Sequence, residues 1–249
     1  MSARRMVPMV ILVLLVGGGL LPGSPAQARS EAGGQVYVLH GLPGVVAQVL
    51  VDGRLRQRDV TKGAVVGPIT VTAGRHEISL VAKDAAPIVG TVEVAKGGSV
   101  DVVAHLPAAL DAEPVLTAFP NNLSPVGRGK TRLAVAHTAQ VPPADIRVDG
   151  KPLLRNVANS EVLTVDVPAR TYAVDIVPTG TTGPIVIGPV ALGVKAGSLT
   201  RVFAIGSPTV GTMDVLVHTL PIAQQGAPAP AMVQTGDGGQ FAALVSARG

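Results

Sequence analysis

The chain has 249 residues, of which 47% are hydrophobic and 14% charged, and it contains no cysteine. Disulfide bonds and thiolate metal sites are therefore excluded, and stability must come from burial. The 20 Lys and Arg residues stand against 16 Asp and Glu, a surplus too weak for an electrostatic nucleic-acid binder, which needs clustered cations. We therefore expect no nucleic-acid partner.

The first segment has the layout of a secretory signal peptide. Arg4 and Arg5 precede a largely apolar stretch, Met6–Leu21, and Ala26 and Ala28 supply small residues before a cleavage point. The uninterrupted apolar core is short for a membrane span of roughly 20 residues, although an uncleaved anchor is the alternative. We predict that residues 1–28 are removed after Ala28, that the mature chain has no transmembrane span, and that it is secreted or associated with the cell surface.

Two halves of the remaining chain match each other in order. The matches begin at an offset of 97 residues, and the offset drifts by a few residues farther along, as loop insertions would produce. Ordered matches over a whole unit indicate duplication, and a period of this size is that of a compact domain. The matched segments are Val38–His40 with Val135–His137, Val51–Gly53 with Val148–Gly150, His76 with Tyr172, and Lys96–Ser99 with Lys195–Ser198.

Each copy is predicted to be all-β, with seven short strands separated by Gly, Pro and Asx turns and no sustained helical period. This pattern predicts two tandem immunoglobulin-like β-sandwich domains, without the Cys and Trp residues of immunoglobulins. In the first copy the predicted strands are 36–39, 46–51, 67–72, 76–82, 88–94, 99–104 and 114–119. In the second copy they are 132–136, 145–148, 162–167, 172–177, 185–192, 199–205 and 214–219.

Composition places the boundaries between these units. The first sandwich is assigned to residues 29–120 and the second to 131–221. Residues 121–130 are polar and rich in Pro and Gly, as linkers are. Residues 222–249 include GAPAPA and TGDGG, and we expect a flexible C-terminal tail because such a segment cannot bury enough surface to offset its ordering entropy.

The second copy resembles the domain of unknown function 4397 family. The resemblance is strongest over about residues 131–220 and weaker over 35–120. It implies an exported β-sandwich, often in tandem, without an established biochemical activity. An acidic residue typical of the family is absent from both copies, and Ala64 of the first copy stands where the second has Glu161. The segments that carry the resemblance are Val135–His137, Pro143–Gly150, Asn156–Val157, Ser160–Val162, Val167–Ala169 and Thr171–Tyr172.

His40 and His137 are the first candidate functional residues, because each follows an apolar strand and the pair recurs in both copies. Such a histidine can act as a metal ligand or a base. The alternative is a strand-end ring whose nitrogens bond a neighbouring loop. Because no second His lies nearby in sequence and the chain has no Cys, we favour the structural interpretation and predict no metal.

Three acidic residues are weak candidates for an interaction site. Asp52 and Asp149 could orient the histidines, but Asp-Gly is also the dipeptide that a tight hairpin prefers. Glu161 follows Asn159-Ser160 in a predicted loop, where it could bind a cation or a partner, or simply be solvated. None of these residues forms a catalytic signature.

The sequence leaves three classes of function open. We favour an exported, non-catalytic protein that presents two sandwich modules to a cell-envelope or extracellular macromolecule, with no enzyme activity and no cofactor. The alternatives are a hydrolase or metal-binding protein using His137 with Glu161 or Asp149, and a small-ligand or cation carrier with a pocket between the copies. With 2 Tyr, 3 Phe and no Trp, the aromatic platforms of sugar and single-strand nucleic-acid binders are scarce.

Overall fold

The computed structural model describes residues 33–226, and this part of the chain consists of strands and turns without helices. The expected signal peptide and most of the expected tail lie outside the described residues. The first copy contains β1 (Gly34–His40), β2 (Ala47–Val51), β3 (Arg54–Val60), β4 (Val65–Val71), β5 (Gly74–Ala82), β6 (Ile88–Val94), β7 (Ser99–His105) and β8 (Val115–Pro120). The second contains β9 (Lys130–His137), β10 (Ala144–Val148), β11 (Lys151–Val157), β12 (Val162–Pro168), β13 (Thr171–Pro178), β14 (Ile187–Gly193), β15 (Ser198–Ile205) and β16 (Asp214–Pro221).

Each copy is a sandwich of two four-stranded sheets. The first copy has the orders β4-β1-β7-β8 and β3-β2-β5-β6, and the second has β12-β9-β15-β16 and β11-β10-β13-β14. The predicted tandem β-sandwich architecture is therefore confirmed. In each copy the first and seventh strands pair in parallel, β1 with β7 and β9 with β15, while the other pairings are antiparallel.

The predicted number of seven strands per copy is wrong, because each copy has eight. The additional strands are β3 and β11, which are edge strands of their sheets. In β3 (RLRQRDV) six of seven residues are exposed, and β11 (KPLLRNV) contains a proline and exposes five. Strands of this kind lack the apolar alternation on which sequence reasoning depends, and proline is tolerated at such an edge.

Each sandwich has its own aliphatic core. The core of the first copy is built mainly from valine, with Leu42, Ile78 and Leu80 among its largest fully buried side chains. The core of the second includes Leu133, Ile146 and Tyr172. Branched aliphatic side chains fit the pleated faces of strands, so a chain poor in aromatic residues can still fill two sandwiches.

A third apolar cluster joins the two copies. All residues of β7 and of β15 are buried, because one face of each strand covers its own sandwich and the other face meets the partner copy. The aromatic rings of Phe119 and Phe203 lie edge to face with their centroids 5.5 Å apart in this cluster. The two sheets that contain β7 and β15 thus pack together in one continuous unit. The cluster, called the inter-copy core below, comprises Tyr37, Leu39, Val103, Phe119, Val126, Ala134, Ala136, Leu199, Phe203, Ile205, Leu216, Leu220 and Ile222.

Charged residues are buried within this interface. Asp101 is fully buried and lies 3.5 Å from Arg201 Nε, and its Oδ1 atom is 3.0 Å from His218 Nδ1. Asn121 also donates to Asp101 Oδ1 at 2.8 Å, and Arg201 donates to the carbonyl of Pro120 at 2.8 Å. Burial lowers the pKa of Arg201, and the nearby Asp101 opposes this effect. A carboxylate and a guanidinium without solvent are tolerable only as a pair.

The two halves of this ion pair occupy equivalent positions in the two copies. Gln35 pairs with Ser99, and its counterpart Arg132, 97 residues on, pairs with Leu199. Ser99 therefore corresponds to Leu199 and not to Ser198, which corrects the sequence alignment by one residue at this point. With this register Asp101 of β7 corresponds to Arg201 of β15.

Their cross-strand neighbours correspond as well. Asp101 pairs with Phe119 in the β-ladder, and Arg201 pairs with His218. Across the interface the contacts are exchanged: Asp101 meets His218, and Arg201 lies 5.8 Å from the centroid of Phe119. Each contact across the interface is thus repeated by the equivalent residues with the two copies exchanged. Such an exchange is the signature of a two-fold interface.

The segment between the sandwiches is held at several points. Arg132 donates to the carbonyl oxygens of Asn122 and Ser124. Val126 is fully buried and forms a parallel bridge with Gln224. The last described residues, after β16, are therefore hydrogen-bonded to the segment that joins the copies.

Candidate functional site

His40 and His137 end β1 and β9, and both side chains are buried. His40 Nδ1 accepts a hydrogen bond from the backbone N–H of Leu42 at 3.2 Å. His137 Nε2 lies 3.2 Å from the carbonyl of Pro142 in the loop that follows. Burial is the main cause of the lowered pKa of both rings, and at His137 it outweighs the hydrogen bond to the Pro142 carbonyl. The arrangement favours neutral rings that bond their own following loops.

A third histidine, His105 at the end of β7, was not singled out from the sequence. It is fully buried, with Nδ1 lying 3.0 Å from the carbonyl of Leu106 and Nε2 lying 2.8 Å from Thr117 Oγ1. Burial is the main cause of its lowered pKa, and repulsion from the His137 ring when that ring is protonated acts in the same direction. His105 ends the largely apolar strand β7, and a His at the end of such a strand is the sequence signal that could have identified it.

These three rings contribute to the pH dependence of stability below pH 6.5. Between their lowered pKa values and the ordinary value of 6.5, the unfolded chain binds protons that the folded chain does not. The free energy of unfolding is therefore expected to fall as the pH falls below 6.5. Urea unfolding at pH 7.5, 6.5 and 5.5 measures this effect, and a His137→Gln variant should show a smaller decline. An equal decline in the variant would contradict the assignment.

Glu161 contacts His137 through a backbone hydrogen bond and not through its side chain. The N–H of His137 donates to the carbonyl of Glu161 at 3.0 Å, whereas the Glu161 carboxylate accepts from the N–H of Ala158 at 2.9 Å. The carboxylate thus closes its own turn, and no hydrogen bond to the His137 ring is formed. Its negative charge still opposes the burial that lowers the pKa of His137.

Asp52 and Asp149 lie in the two-residue turns that join β2 to β3 and β10 to β11. In both turns the Asp and the following Gly have positive φ, with 51° and 69° in the first copy and 51° and 77° in the second. These values suit hairpin turns, in which Gly is free of steric strain. Each carboxylate also accepts from a backbone N–H of the neighbouring strand in the sheet, from Glu77 of β5 and Ala173 of β13.

Asp52 and His40 lie at opposite ends of the first sandwich. His76 contacts both Asp52 and the carbonyl of Thr72. Thr72 directly follows β4, whose last residue pairs with Gly34 at the start of β1. Asp52 therefore lies at the end of the sandwich where β1 begins. His40 is at the other end of β1, about 20 Å away at the usual rise of a strand. The second copy repeats this placement, so Asp149 does not meet His137. The pairing of His137 with Asp149 considered from the sequence is therefore not formed.

In each copy the turn aspartate has a charged partner. In the first copy His76 Nδ1 lies 2.8 Å from Asp52 Oδ2, and its Nε2 lies 2.9 Å from the Thr72 carbonyl. Desolvation lowers the pKa of His76, but the bonds to Asp52 and Thr72 together outweigh it and raise the pKa. Because both ring nitrogens face oxygen acceptors, the arrangement favours the protonated ring.

The second copy builds the same place from different residues. Arg170 donates to Asp149 Oδ2 at 2.7 Å, and its guanidinium lies 3.7 Å from the centroid of the Tyr172 ring. The Tyr172 hydroxyl donates to the Pro168 carbonyl. In the first copy the His76 ring makes the equivalent contact with the Thr72 carbonyl. The sequence comparison matched His76 with Tyr172 but did not identify His76 or Arg170 as partners of the turn aspartates.

An open groove lies next to this turn in each copy, and we call it the hairpin groove. In the first copy it measures about 350 Å³ and is lined by Asp52, Arg54, Arg56, Thr70, Val71, Thr72 and His76. In the second it measures about 500 Å³ and is lined by Leu133, Val148, Asp149, Lys151, Pro152, Leu153, Val167, Pro168, Arg170 and Tyr172. The two grooves lie at equivalent positions, but the lining is basic in the first copy and largely apolar in the second.

Neither a metal centre nor a membrane-spanning helix occurs in residues 33–226. Within that range no three His, Asp or Glu side chains are grouped as ligands for a metal ion. No helix there is long and apolar enough to cross a bilayer.

Residues 34–144 match the family model described as a domain of unknown function, DUF4397. This match supports the resemblance of the chain to the DUF4397 family. The DUF4397 match covers β1 to β9 and ends at the first residue of β10. It therefore includes the whole first copy, where the motif resemblance is weaker, together with the β9 strand. No curated protein matches the chain.

Proposed function

We propose that this chain is an exported, non-catalytic binding protein of the cell envelope or extracellular space. Its two sandwiches, joined by the inter-copy core, would present their hairpin grooves to another macromolecule. The observation that carries the proposal is the recurrence of the groove at the same place in both copies, lined by exposed side chains such as Arg56 and Leu153. A binding surface needs accessible groups of this kind.

The contrast with the histidines supports a binding role over chemistry. The rings of His40 and His137 are 0% and 2% exposed, so a substrate would have to displace the loops that cover them. Groove residues such as Arg56 and Leu153 are exposed and accessible without any rearrangement. The two grooves also have different linings although the copies arose by duplication. Selection for distinct contacts with a partner would favour such a difference.

The proposal is tested in two steps on the protein released by an exporting bacterial host. Mass spectrometry should find a mature chain that begins at Arg29. This protein is then mixed with cell-wall, membrane and secreted-polymer fractions, and retention is measured against the free protein. Retention by at least one fraction is expected. Absence of retention at roughly 100 µM protein, a concentration above most specific dissociation constants, would refute a binding role in the envelope.

A further inference from the structure

Three arginines lie along β3 without an ion-pair partner. Arg54, Arg56 and Arg58 alternate along this edge strand, all three are exposed, and none forms an ion pair with another described residue. At the usual rise of a strand they span roughly 13 Å. Three guanidinium groups are thus available for a ligand at the edge of the first sandwich.

These arginines line two cavities that lie along β3 and β4, which are edge strands of the two sheets of the first copy. The first cavity is the basic hairpin groove, which contains Arg54 and Arg56. The second, of about 390 Å³, contains Arg58 and residues of β4 from Val65 to Gly67. We call the two cavities together the β3–β4 cleft.

The charge in this cleft is positive. Of its two acidic residues, Asp52 is engaged by His76, whose raised pKa favours the protonated ring. Asp59 lines the second cavity. Nearby Lys62 is engaged by Asp214 and adds little. The three arginines and His76 therefore outnumber the carboxylates, and the surplus can attract an anion.

The second copy has lost this arrangement. At the positions equivalent to the arginines stand Lys151, Leu153 and Arg155. The central position is apolar, and the Arg155 guanidinium lies 3.8 Å from the Asp145 carboxylate. The row of free cations is therefore a property of the first copy, and the second copy supplies a control within the same chain.

We propose that the β3–β4 cleft binds a phosphodiester-linked polymer of the cell envelope, which rests on the proposed envelope-binding function and names its partner. A guanidinium group matches the oxygens of a phosphate with paired hydrogen bonds. No Phe, Tyr or Trp side chain lines either cavity, and the His76 ring there is buried, so the cleft lacks an exposed platform for the rings of a stiff acidic glycan. A flexible phosphodiester chain needs no such platform.

An acidic peptide added to β3 as a further strand fits less well. The pairing of β3 with β2 shifts register twice, between Ala47 and Val49 and between Val49 and Leu50. Such bulges interrupt the regular row of backbone donors and acceptors that strand addition requires. Edge arginines can also serve only to prevent aggregation, and a binding measurement separates this role from the proposed one.

The test measures binding of the exported protein to poly(glycerol phosphate), with polygalacturonate and poly-aspartate of equal charge as comparison polymers. The affinity for poly(glycerol phosphate) is expected to be the highest. Neutralising about three phosphates predicts a roughly 20-fold loss of affinity between 50 and 200 mM salt. The triple variant Arg54→Gln, Arg56→Gln, Arg58→Gln should lose at least tenfold. The matched variant Lys83→Gln, Arg155→Gln, Lys195→Gln removes three exposed cations outside these cavities and should retain the affinity. Both variants should keep the far-UV circular dichroism of the parent.

Three results would overturn the proposal: no binding of poly(glycerol phosphate), equal affinity in the triple variant, or binding of either carboxylate polymer that is as tight. The envelope-fraction experiment, repeated with the triple variant, separates the two proposals. If parent and triple variant are retained equally, the cleft is not the binding site but the protein is still an envelope binder. If the parent itself is not retained, the broader proposal fails.

Discussion

Replacement of Arg201 by alanine is expected to lower the free energy of unfolding by about 3–5 kcal/mol. Arg201 and Asp101 are 3% and 0% exposed. Removing the guanidinium leaves Asp101 buried with His218 and Asn121 as its remaining polar partners. A buried charge that loses its counter-ion costs far more than the net contribution of the intact pair. Urea denaturation followed by far-UV circular dichroism measures the change.

An exposed arginine ion pair provides the control. The side chains of Arg170 and Asp149 are 51% and 45% exposed, so Arg170→Ala should cost at most about 1 kcal/mol. Adding Asp101→Asn to the Arg201→Ala variant should recover part of the loss, because the unpaired charge is then removed. A loss below 1 kcal/mol for Arg201→Ala would mean that solvent reaches Asp101 in the folded protein.

The second large effect is expected at Phe203, which is fully buried in the inter-copy core. Phe203→Ala should lower the free energy of unfolding by about 3–5 kcal/mol, because it removes the ring that packs on Phe119 and leaves a cavity. Phe203→Leu, which keeps most of the volume, should cost about half as much or less.

The same variant tests how the copies depend on each other. Because the inter-copy core belongs to both sandwiches, the parent is expected to unfold in one transition, and Phe203→Ala should destabilise both copies. Hydrogen exchange measured by mass spectrometry can follow β5 of the first copy and β13 of the second separately. Faster exchange confined to the second copy would show that the two sandwiches are stabilised independently.

The fold could be predicted where apolar alternation and turn residues act together. Strands such as β5 and β13, and the two Asp-Gly turns, follow from side-chain periodicity and from the freedom of Gly at positive φ. The edge strands β3 and β11 could not be predicted in this way, because they bury almost no side chains. Their formation depends on hydrogen bonds to β2 and β10, which leave no pattern in composition.

The candidate site could be predicted only in part. Duplication made His40, His137, Asp52 and Asp149 visible, but it could not show that each histidine lies at the far end of the sandwich from its aspartate. Those distances depend on strand direction within the two sheets. The groove partners and the buried ion pair depend on contacts between residues far apart in sequence. A charged residue amid an apolar run, as at Arg201, was the available signal.

The equivalence of Asp101 and Arg201 restricts how these modules can associate with one another. If two first copies from different molecules docked through this face, Asp101 would meet a second Asp101, and two second copies would bring two arginines together. Like charges in a dry interface oppose such pairing. The covalent connection, meanwhile, holds the complementary copies at a high effective concentration. The buried charges therefore favour pairing of a first copy with a second copy, and the covalent connection favours this pairing within one chain.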